Sequence, residues 1–464
     1  MSLIEQLRAR SAAGRPARVG LIGAGKFGSM YLSQAPRTPG IHVVGIADLS
    51  PSRAAAALER VGWDAARHAA KSMAEAARTG ATCITDDAEA LIASDAVDII
   101  IEATGNPAAG IHHALLCCKH RKHVIMVNVE ADVLAGPLLA RRAQEAGVIY
   151  SMASGDQPAL IAELVDWART IGLEVICAGK GTKYLPAYHH STPKTVWTHY
   201  GFSEAQVASG DFNAQMFNSF LDGTKSALEM AAVANACGLL PPANGLAFPP
   251  CGVDDLPHVL RPIADGGILA DRGTVEVVSS VERDGRPVYR DLRWGVYVVF
   301  AAPSAYVRDC FAQYGLKTDA SGRFAASYKP YHLIGLELGT SVASIAIRRE
   351  ATGATRDLAG DVAATAKRDL RAGERLDGEG GFTVYGKLMR AADALALGTL
   401  PIGLAHNLVL KNDVLAGRPV RWEDVDADET LEAVAIRREM ETMFRKEMGI
   451  GGAGGRHAHM RNPH

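Results

Sequence analysis

The sequence of 464 residues predicts an α/β protein whose first part is a doubly wound parallel sheet. Three observations lead to this prediction. A short apolar run, Val19 to Ile22, ends in the glycine-rich segment Gly23-Ala-Gly-Lys-Phe-Gly28. A second apolar run, Ile41 to Ala47, stops at the carboxylate of Asp48. The run from Val97 to Ala103 is almost continuously apolar, as a strand buried on both faces requires.

The glycine-rich segment has the spacing Gly-x-Gly-x-x-Gly of a dinucleotide-binding turn. Gly23 would allow the tight turn, Gly25 would let the backbone approach a pyrophosphate, and Gly28 would let the following helix pack on the strand. The N–H groups at the start of that helix attract phosphates, and Asp48 can accept the adenosine ribose hydroxyls. We therefore expect a Rossmann-type domain that binds NAD or NADP through these residues, through Lys26 and Phe27 inside the motif, and through Arg53 nearby. The alternative is a glycine-rich turn that binds no nucleotide.

The other elements of this first part are predicted to alternate between helix and strand. Ser50-Pro51 begins a helix, since serine caps helices well and proline fits the first turn. Residues 63–79 are rich in alanine and predict an extra helical insertion. The remaining predicted elements are strands at 82–85, 122–127 and 148–152, and helices at the N-terminus, after Asp87, over 107–119 and up to Ala146.

The middle of the chain predicts a mixed α+β domain. A helix is expected from Gly155-Asp156-Gln157-Pro158 to about Ile171, and a strand over 174–178 leads into a glycine-rich loop at 179–184. A helix of small residues follows at 224–237. Further strands are expected at 275–280, 295–300 and 333–347.

The last part of the chain, from about residue 361, predicts a small β-rich module. Residues 366–374 and 414–425 resemble one another around an Ala-Gly turn, and 429–448 form a charged helical pattern. We divide the chain into a nucleotide-binding domain at 1–153, a substrate, catalytic and dimerisation domain at 154–360, the module at 361–448 and a disordered glycine-rich tail at 449–464.

Composition restricts the partners. The net charge of −2 argues against nucleic acid or an anionic membrane as the main partner. No apolar run reaches the roughly 18 residues of a membrane helix, and the N-terminus lacks the pattern of a signal peptide. None of the seven cysteines forms a pair with metal-ligand spacing. We expect a cytoplasmic enzyme that takes a small-molecule substrate and forms a homodimer or a higher homo-oligomer.

Candidate site residues follow the predicted strands. In a doubly wound sheet, ligands bind at the carboxyl ends of strands. This places Thr104-Gly105-Asn106 and Asn128 beside the glycine-rich turn as cofactor-binding residues. Glu130 is a candidate catalytic carboxylate, or a helix N-terminal acid favoured by the dipole.

The middle domain adds three candidate catalytic residues. Lys180 and Lys183 would act as acid and base or bind an anionic group of the substrate, unless they are solvated loop lysines. Asp156 is either catalytic or a helix cap. Lys225 and Glu229 are spaced as a simple ion pair on one helix face.

Several stretches resemble known families. The glycine-rich motif, Glu102-Ala-Thr-Gly-Asn-Pro107 and Val127-Asn-Val-Glu-Ala-Asp132 resemble the cofactor domain of homoserine dehydrogenases. Nearly the whole chain is similar to the deoxyxylulose-phosphate reductoisomerase-like (DRL) oxidoreductases, which carry a C-terminal SAF domain. The stretches behind this resemblance are 128–132, 178–181, 229–239, 266–269 and 330–333.

The resemblance implies a homodimeric NADPH enzyme that rearranges and reduces a ketose phosphate. Two departures bear on this. Asp48 stands where those enzymes have a basic stretch, which favours NAD over NADP, although Arg53 offsets part of its charge. Gln157 stands where a second carboxylate is expected after Asp156, so we assign no metal ligands, although a divalent metal is left open. The leading hypothesis is an NAD(P)-dependent oxidoreductase acting on a CH–OH group. Its most specific form is a reductoisomerase-like enzyme acting on deoxyxylulose 5-phosphate. The alternatives are a dehydrogenase or reductase of a sugar acid or branched polyol, and a non-catalytic nucleotide-sensing protein.

Overall fold

The structure is a computed structural model that describes residues 2–209 and 212–450. The tail predicted for 449–464 lies outside the described residues from position 451 onward. The domain divisions after residues 153, 360 and 448 remain predictions.

The first part of the chain forms a six-stranded sheet with the strand order β3-β2-β1-β4-β5-β6, and all its strand pairs are parallel. This order confirms the predicted doubly wound sheet, and it reverses between β1 and β4, where such sheets bind nucleotides. The strands are β1 (Ala17–Ile22), β2 (Ile41–Ala47), β3 (Cys83–Thr85), β4 (Ile99–Glu102), β5 (His123–Met126) and β6 (Tyr150–Met152). The helices are α1 (Leu3–Ala12), α2 (Lys26–Gln34), α3 (Pro51–Arg60), α4 (Met73–Thr79), α5 (Ala88–Ala93), α6 (Pro107–Lys119) and α7 (Val129–Glu145).

The helical insertion predicted over 63–79 is present as two short helices. The chain forms a short 3₁₀ helix at Ala65–His68 and then α4, with an extended link between them. Ala70, within this link, makes an isolated parallel bridge to Cys83 at the edge of the sheet. That backbone pairing requires an extended conformation, which alanine content alone does not reveal.

The middle part forms the predicted α+β domain around a mixed sheet with the order β10-β9-β7-β8. Helices α8 and α12 pack against each other, and both contact β7. The strands are β7 (Glu174–Thr182), β8 (Thr274–Ser279), β9 (Val296–Ala301) and β10 (Phe324–Lys329). The helices are α8 (Gln157–Thr170), α9 (Val196–Tyr200), α10 (Glu204–Ser209), α11 (Ala214–Leu221), α12 (Thr224–Cys237), α13 (Leu256–Val259), α14 (Ala305–Gln313) and α15 (Gly339–Ala343).

Two predictions in this region fail. The strand expected at 333–347 is instead α15 followed by a π-helical turn at Ser344–Arg348, because Leu338, Val342 and Ile345 recur at helical spacing and are buried against the first sheet. The glycine-rich loop expected at 179–184 is mostly the continuation of β7. A Cβ at Gly179 would collide with the Glu276 carbonyl, so this glycine serves close strand packing rather than a loop.

The last part contains two small antiparallel pairs, β11 with β13 and β12 with β14. Its elements are β11 (Gly360–Ala366), β12 (Arg375–Asp377), β13 (Val384–Arg390), β14 (His406–Val409), α16 (Ala391–Leu397) and α17 (Glu432–Glu447). Helix α17 returns to pack on α6 and α7 of the first domain. The fully buried Arg437 pairs there with Asp361 and with Glu441, whose Oε1 accepts from Nε at 2.9 Å.

Candidate functional site

The glycine-rich turn between β1 and α2 has the geometry that a pyrophosphate needs. Gly23 has φ of 96°, and a Cβ there would lie 2.6 Å from the Ala103 carbonyl oxygen. A Cβ at Gly25, the N-cap of α2, would meet no atom within 4 Å, so this side of the turn is open to a ligand. A Cβ at Gly28 would collide with the Gly23 carbonyl, so the helix packs closely on the turn. Lys26 is exposed at the first position of α2, and its neighbour Phe27 is half-buried.

Asp48 lies buried at the end of β2 and faces this turn. Its Oδ2 accepts the Ala24 N–H at 2.9 Å, and its Oδ1 accepts from the Ser50 N–H and from Arg53 Nη2, each at 2.9 Å. Burial alone would raise the pKa of Asp48, but the two backbone donors and Arg53 together lower it. An ionised carboxylate therefore stands where an adenosine ribose is expected.

The other wall of the crevice follows β4 and β5. Asn128 caps α7 by accepting the Ala131 N–H, and its Nδ2 donates to the Asn106 carbonyl at 2.8 Å. Thr104 lies between these asparagines and its hydroxyl donates to Glu102. The next residue, Gly105, has φ of 69° and open space at its missing Cβ. The structure thus brings the predicted cofactor-binding residues of this wall to one edge of the sheet.

Glu102 was not singled out from the sequence. It is fully buried at the end of β4, and its Oε2 has no hydrogen-bond partner. A buried carboxylate oxygen without a partner is costly unless a donor approaches it. The sequence feature that could have revealed Glu102 is the presence of a glutamate inside an otherwise apolar strand.

A buried cluster of charges lies beyond this edge, where α7, α8, β7 and α12 meet. Lys180 and Glu229 form an ion pair with 7% and 2% of their side chains exposed. Lys225 donates to Glu130 Oε1 at 2.5 Å. Lys225 and Glu229 therefore pair with other elements, so the interpretation of a simple pair along one helix is wrong. Lys180 lies in strand β7, so the alternative of a solvated loop lysine is also wrong for it.

Asp156 joins this cluster from the start of α8. It is the N-cap residue of α8, and its Oδ1 accepts the Gln157 N–H at 3.0 Å. Burial and the negative charge of Glu229 raise the pKa of Asp156 to about 7, with Lys225 opposing them. Asp156 is therefore a helix cap whose pKa is raised towards neutral pH.

Lys183 lies apart from the cluster, beyond the end of β7. Its Nζ donates to the His199 carbonyl at 2.7 Å, and burial together with nearby Arg293 lowers its pKa. Next to Asp156, the Gln157 amide contacts His332 Nε2 at 3.1 Å, and His332 Nδ1 lies 2.8 Å from the Trp294 carbonyl. These contacts connect Gln157, the neighbour of Asp156, through His332 to Trp294, the residue that follows Arg293.

The C-terminal module contributes a carboxylate that was also missed. Burial and the charge of Glu130 raise the pKa of Glu379 to about 8, with Lys225 opposing them. Its loop is held on α11, because Gln215 Nε2 donates to the Glu379 carbonyl at 2.9 Å and Asn218 Nδ2 to the Gly380 carbonyl at 2.8 Å. The C-terminal module therefore contributes Glu379 to the cluster.

Among the described residues there is neither a metal-binding cluster nor a membrane-spanning helix. Across residues 2–209 and 212–450, no three histidine, cysteine, aspartate or glutamate side chains form a group suited to a metal ion. Over the same residues, no helix has both the length and the apolar character needed to cross a membrane.

Comparison with known families identifies the type of protein. Residues 17–127 match the NAD-binding Rossmann fold of the Gfo/Idh/MocA oxidoreductase family, and residues 155–338 match the catalytic domain of oxidoreductase DRL. The chain thus combines a region similar to an NAD-binding Rossmann fold with a region similar to the catalytic domain of oxidoreductase DRL. Residues 362–426 match the SAF domain, so the resemblances noted in the sequence are confirmed. A search of curated proteins finds no match to this chain.

Solved structures with a similar fold are remote. An oxidoreductase from Agrobacterium radiobacter, in complex with NAD+, L-tartaric acid and magnesium, is 17% identical over 36% of this chain and 44% of that chain, with a TM-score of 0.27. An NAD binding oxidoreductase from Klebsiella pneumoniae is 15% identical over 69% and 67% of the two chains, with a TM-score of 0.32. A homoserine dehydrogenase from Thiobacillus denitrificans is 18% identical over 48% and 49%, with a TM-score of 0.34. The chain thus spans less than half of the first of these structures.

Proposed function

We propose that this oxidoreductase transfers a hydride between NAD and a CH–OH or carbonyl carbon of a small polar substrate. The observation that carries the proposal is the buried cluster of Lys180, Glu229 and Asp156 beside the carboxyl edge of a Rossmann sheet. Hydride transfer to or from a carbon requires a group that exchanges the proton of its oxygen and a group that stabilises charge there. A buried lysine paired with a glutamate, next to an aspartate with a pKa near 7, provides both.

The residues of the chain divide this work. The N-terminus of α2 and the open side of Gly25 would hold the pyrophosphate of the dinucleotide, and Asp48 its adenosine ribose. When bound, the nicotinamide supplies or accepts the hydride. The Lys180 ammonium donates a hydrogen bond to the substrate oxygen, and the ion pair with Glu229 orients that ammonium. Asp156 gives or takes the oxygen's proton, while Glu130 with Lys225 and Glu379 set the field around it.

An anionic group on the substrate would bind outside the cluster, because each cluster lysine already faces a carboxylate. Lys183 and Arg293 lie close together beyond β7, and neither forms an ion pair with a carboxylate in the described residues. Cations free of carboxylates suit phosphate or carboxylate groups. We therefore assign Lys183 to substrate binding rather than proton transfer, in a substrate that is phosphorylated or carboxylated.

NAD is proposed over NADP on the basis of Asp48. We expect Asp48→Asn to weaken NADH binding roughly tenfold and to weaken NADPH less, because the amide no longer repels a 2′-phosphate. Arg53→Gln should weaken NADPH binding more than NADH binding, because it leaves the negative charge of Asp48 without its cation. Fluorescence titration with each cofactor measures the ratio of the NADH and NADPH dissociation constants. An unchanged ratio in Asp48→Asn would contradict the proposal.

The match to the DRL catalytic domain favours reductoisomerase action on deoxyxylulose 5-phosphate as the specific reaction. The test is NADH and NADPH oxidation with this substrate, with and without Mg²⁺ or Mn²⁺, beside NAD reduction with sugar acids and branched polyols. Turnover only in the second assay would retain the dehydrogenase and remove the reductoisomerase. Turnover in neither, with intact NAD binding, would contradict the proposed substrate class. A cytoplasmic homodimer remains part of the proposal.

A further inference from the structure

A cavity of about 400 Å³ opens at the amino ends of β1, β4 and β5. These strand ends lie opposite the cofactor crevice. Its basic and histidine side chains come from three separate parts of the chain. Arg10 comes from α1, Arg121 and His123 precede and begin β5, and Arg349 follows the π-helical turn. The cavity is therefore built by the packing of α1 and the 344–349 segment on the sheet.

The side chains that line this cavity are strongly basic. Besides Arg10, Arg121 and Arg349, they include Lys122, whose Nζ donates to the Ser94 and Val97 carbonyls. Asp98 is the single acid among the described lining residues, and Arg18 already binds it through Nε at 2.9 Å. The buried Nε of Arg10 has no hydrogen-bond partner. The wall thus carries an excess of positive charge and a buried donor without an acceptor.

His123 adds a more specific observation. Its Nδ1 accepts the Ile149 N–H at 3.0 Å, so in a neutral ring the proton lies on Nε2. Arg349 Nη1, which can only donate, lies 2.7 Å from that Nε2. Burial and the charge of Arg349 lower the pKa of His123, with Asp98 opposing them, which favours the neutral ring. Two donors therefore face each other with no acceptor between them.

We propose that this cavity binds a small oxyanion, a phosphate or carboxylate compound. Its oxygens would accept from the Nε2–H of His123 and the guanidinium groups of Arg349 and Arg10, with Arg121 at the open side. One such acceptor resolves both the facing donors and the unpartnered Arg10 nitrogen. The bound anion would tie α1 and the 344–349 segment to the sheet, away from the NAD crevice.

Calorimetric titration of the NAD-saturated full chain with inorganic phosphate, pyrophosphate and citrate tests this site, since NAD blocks phosphate binding at the glycine-rich turn. At least one probe should bind, and Arg349→Gln and Arg10→Gln should each weaken it roughly tenfold. The matched controls are Arg348→Gln and Arg8→Gln, which change neighbouring arginines that do not line the cavity. The anion should also raise the melting temperature of the wild type and of both controls, but not of Arg349→Gln.

The outcomes separate the sources of the anion. Binding of phosphate or pyrophosphate without citrate assigns a phosphate compound, and the reverse assigns a carboxylate. Absence of binding by all three probes overturns the site. Equal weakening by Arg349→Gln and Arg348→Gln also overturns it, because the effect would then be one of general surface charge.

Discussion

Replacing Lys180 with methionine is expected to lower kcat roughly a hundredfold to a thousandfold while leaving NADH affinity nearly unchanged. Lys180 is buried in β7, and methionine fills a similar volume without a charge or a donor. The substrate oxygen would then lose the group that stabilises its developing charge. We propose that NADH binds at the glycine-rich turn and Asp48, which Lys180 does not contact. Steady-state kinetics and NADH fluorescence measure the two quantities separately.

The control for this variant must address Glu229, which would be left buried without its cation. Breaking a buried pair by removing one partner commonly costs about 3–5 kcal/mol of stability. The double variant Lys180→Met/Glu229→Gln removes both charges, and we expect it to regain stability but not turnover. Lys183→Met serves as the matched lysine change and should raise KM more than it lowers kcat. Wild-type turnover in a folded Lys180→Met protein would remove Lys180 from the catalytic group.

The first domain was predictable because its signals are local. The glycine spacing around Gly25, the acid after β2 and the apolar run of β4 each reflect a constraint that acts within one βαβ unit. The strand order and the crevice follow from these signals. The failure at 333–347 arose where contacts with a distant segment, around Val342, decide the backbone conformation. The break within the helical insertion at 63–79 likewise lies at Ala70, which pairs with Cys83.

The charged cluster was only partly predictable. The sequence drew attention to Lys180, Glu130 and Asp156, but their partners lie on elements far away in the chain. Glu379 reaches the cluster only because its loop is held on α11, which no local pattern encodes. Spacing along one helix even suggested the wrong pairing for Lys225, since the charges facing each helix position are set by tertiary packing.

Asp156→Asn should remove an ionisation near pH 7 from the activity profile and lower the rate roughly 10²–10⁴-fold. The wild-type pKa of about 7 arises because burial and Glu229 disfavour the charged form. Carbonyl reduction, which needs the acid, should therefore slow as pH rises through 7, and alcohol oxidation, which needs the base, should accelerate. The measurement is kcat/KM in both directions over this range. An unchanged inflection in the variant would assign the ionisation to another group.

The same pKa makes a prediction about stability. An aspartate in an unfolded chain has a pKa of about 3.9, so the folded protein holds the Asp156 proton more tightly than the unfolded one. The stability that this proton provides is complete below about pH 4 and is lost as pH rises through about 7. Asparagine does not ionise, so the melting temperature of Asp156→Asn should rise relative to that of the wild type as the pH increases from 5 to 8. Asp166→Asn, an exposed change on the same helix α8, should show no such gain, and an equal gain there would exclude Asp156 as its cause.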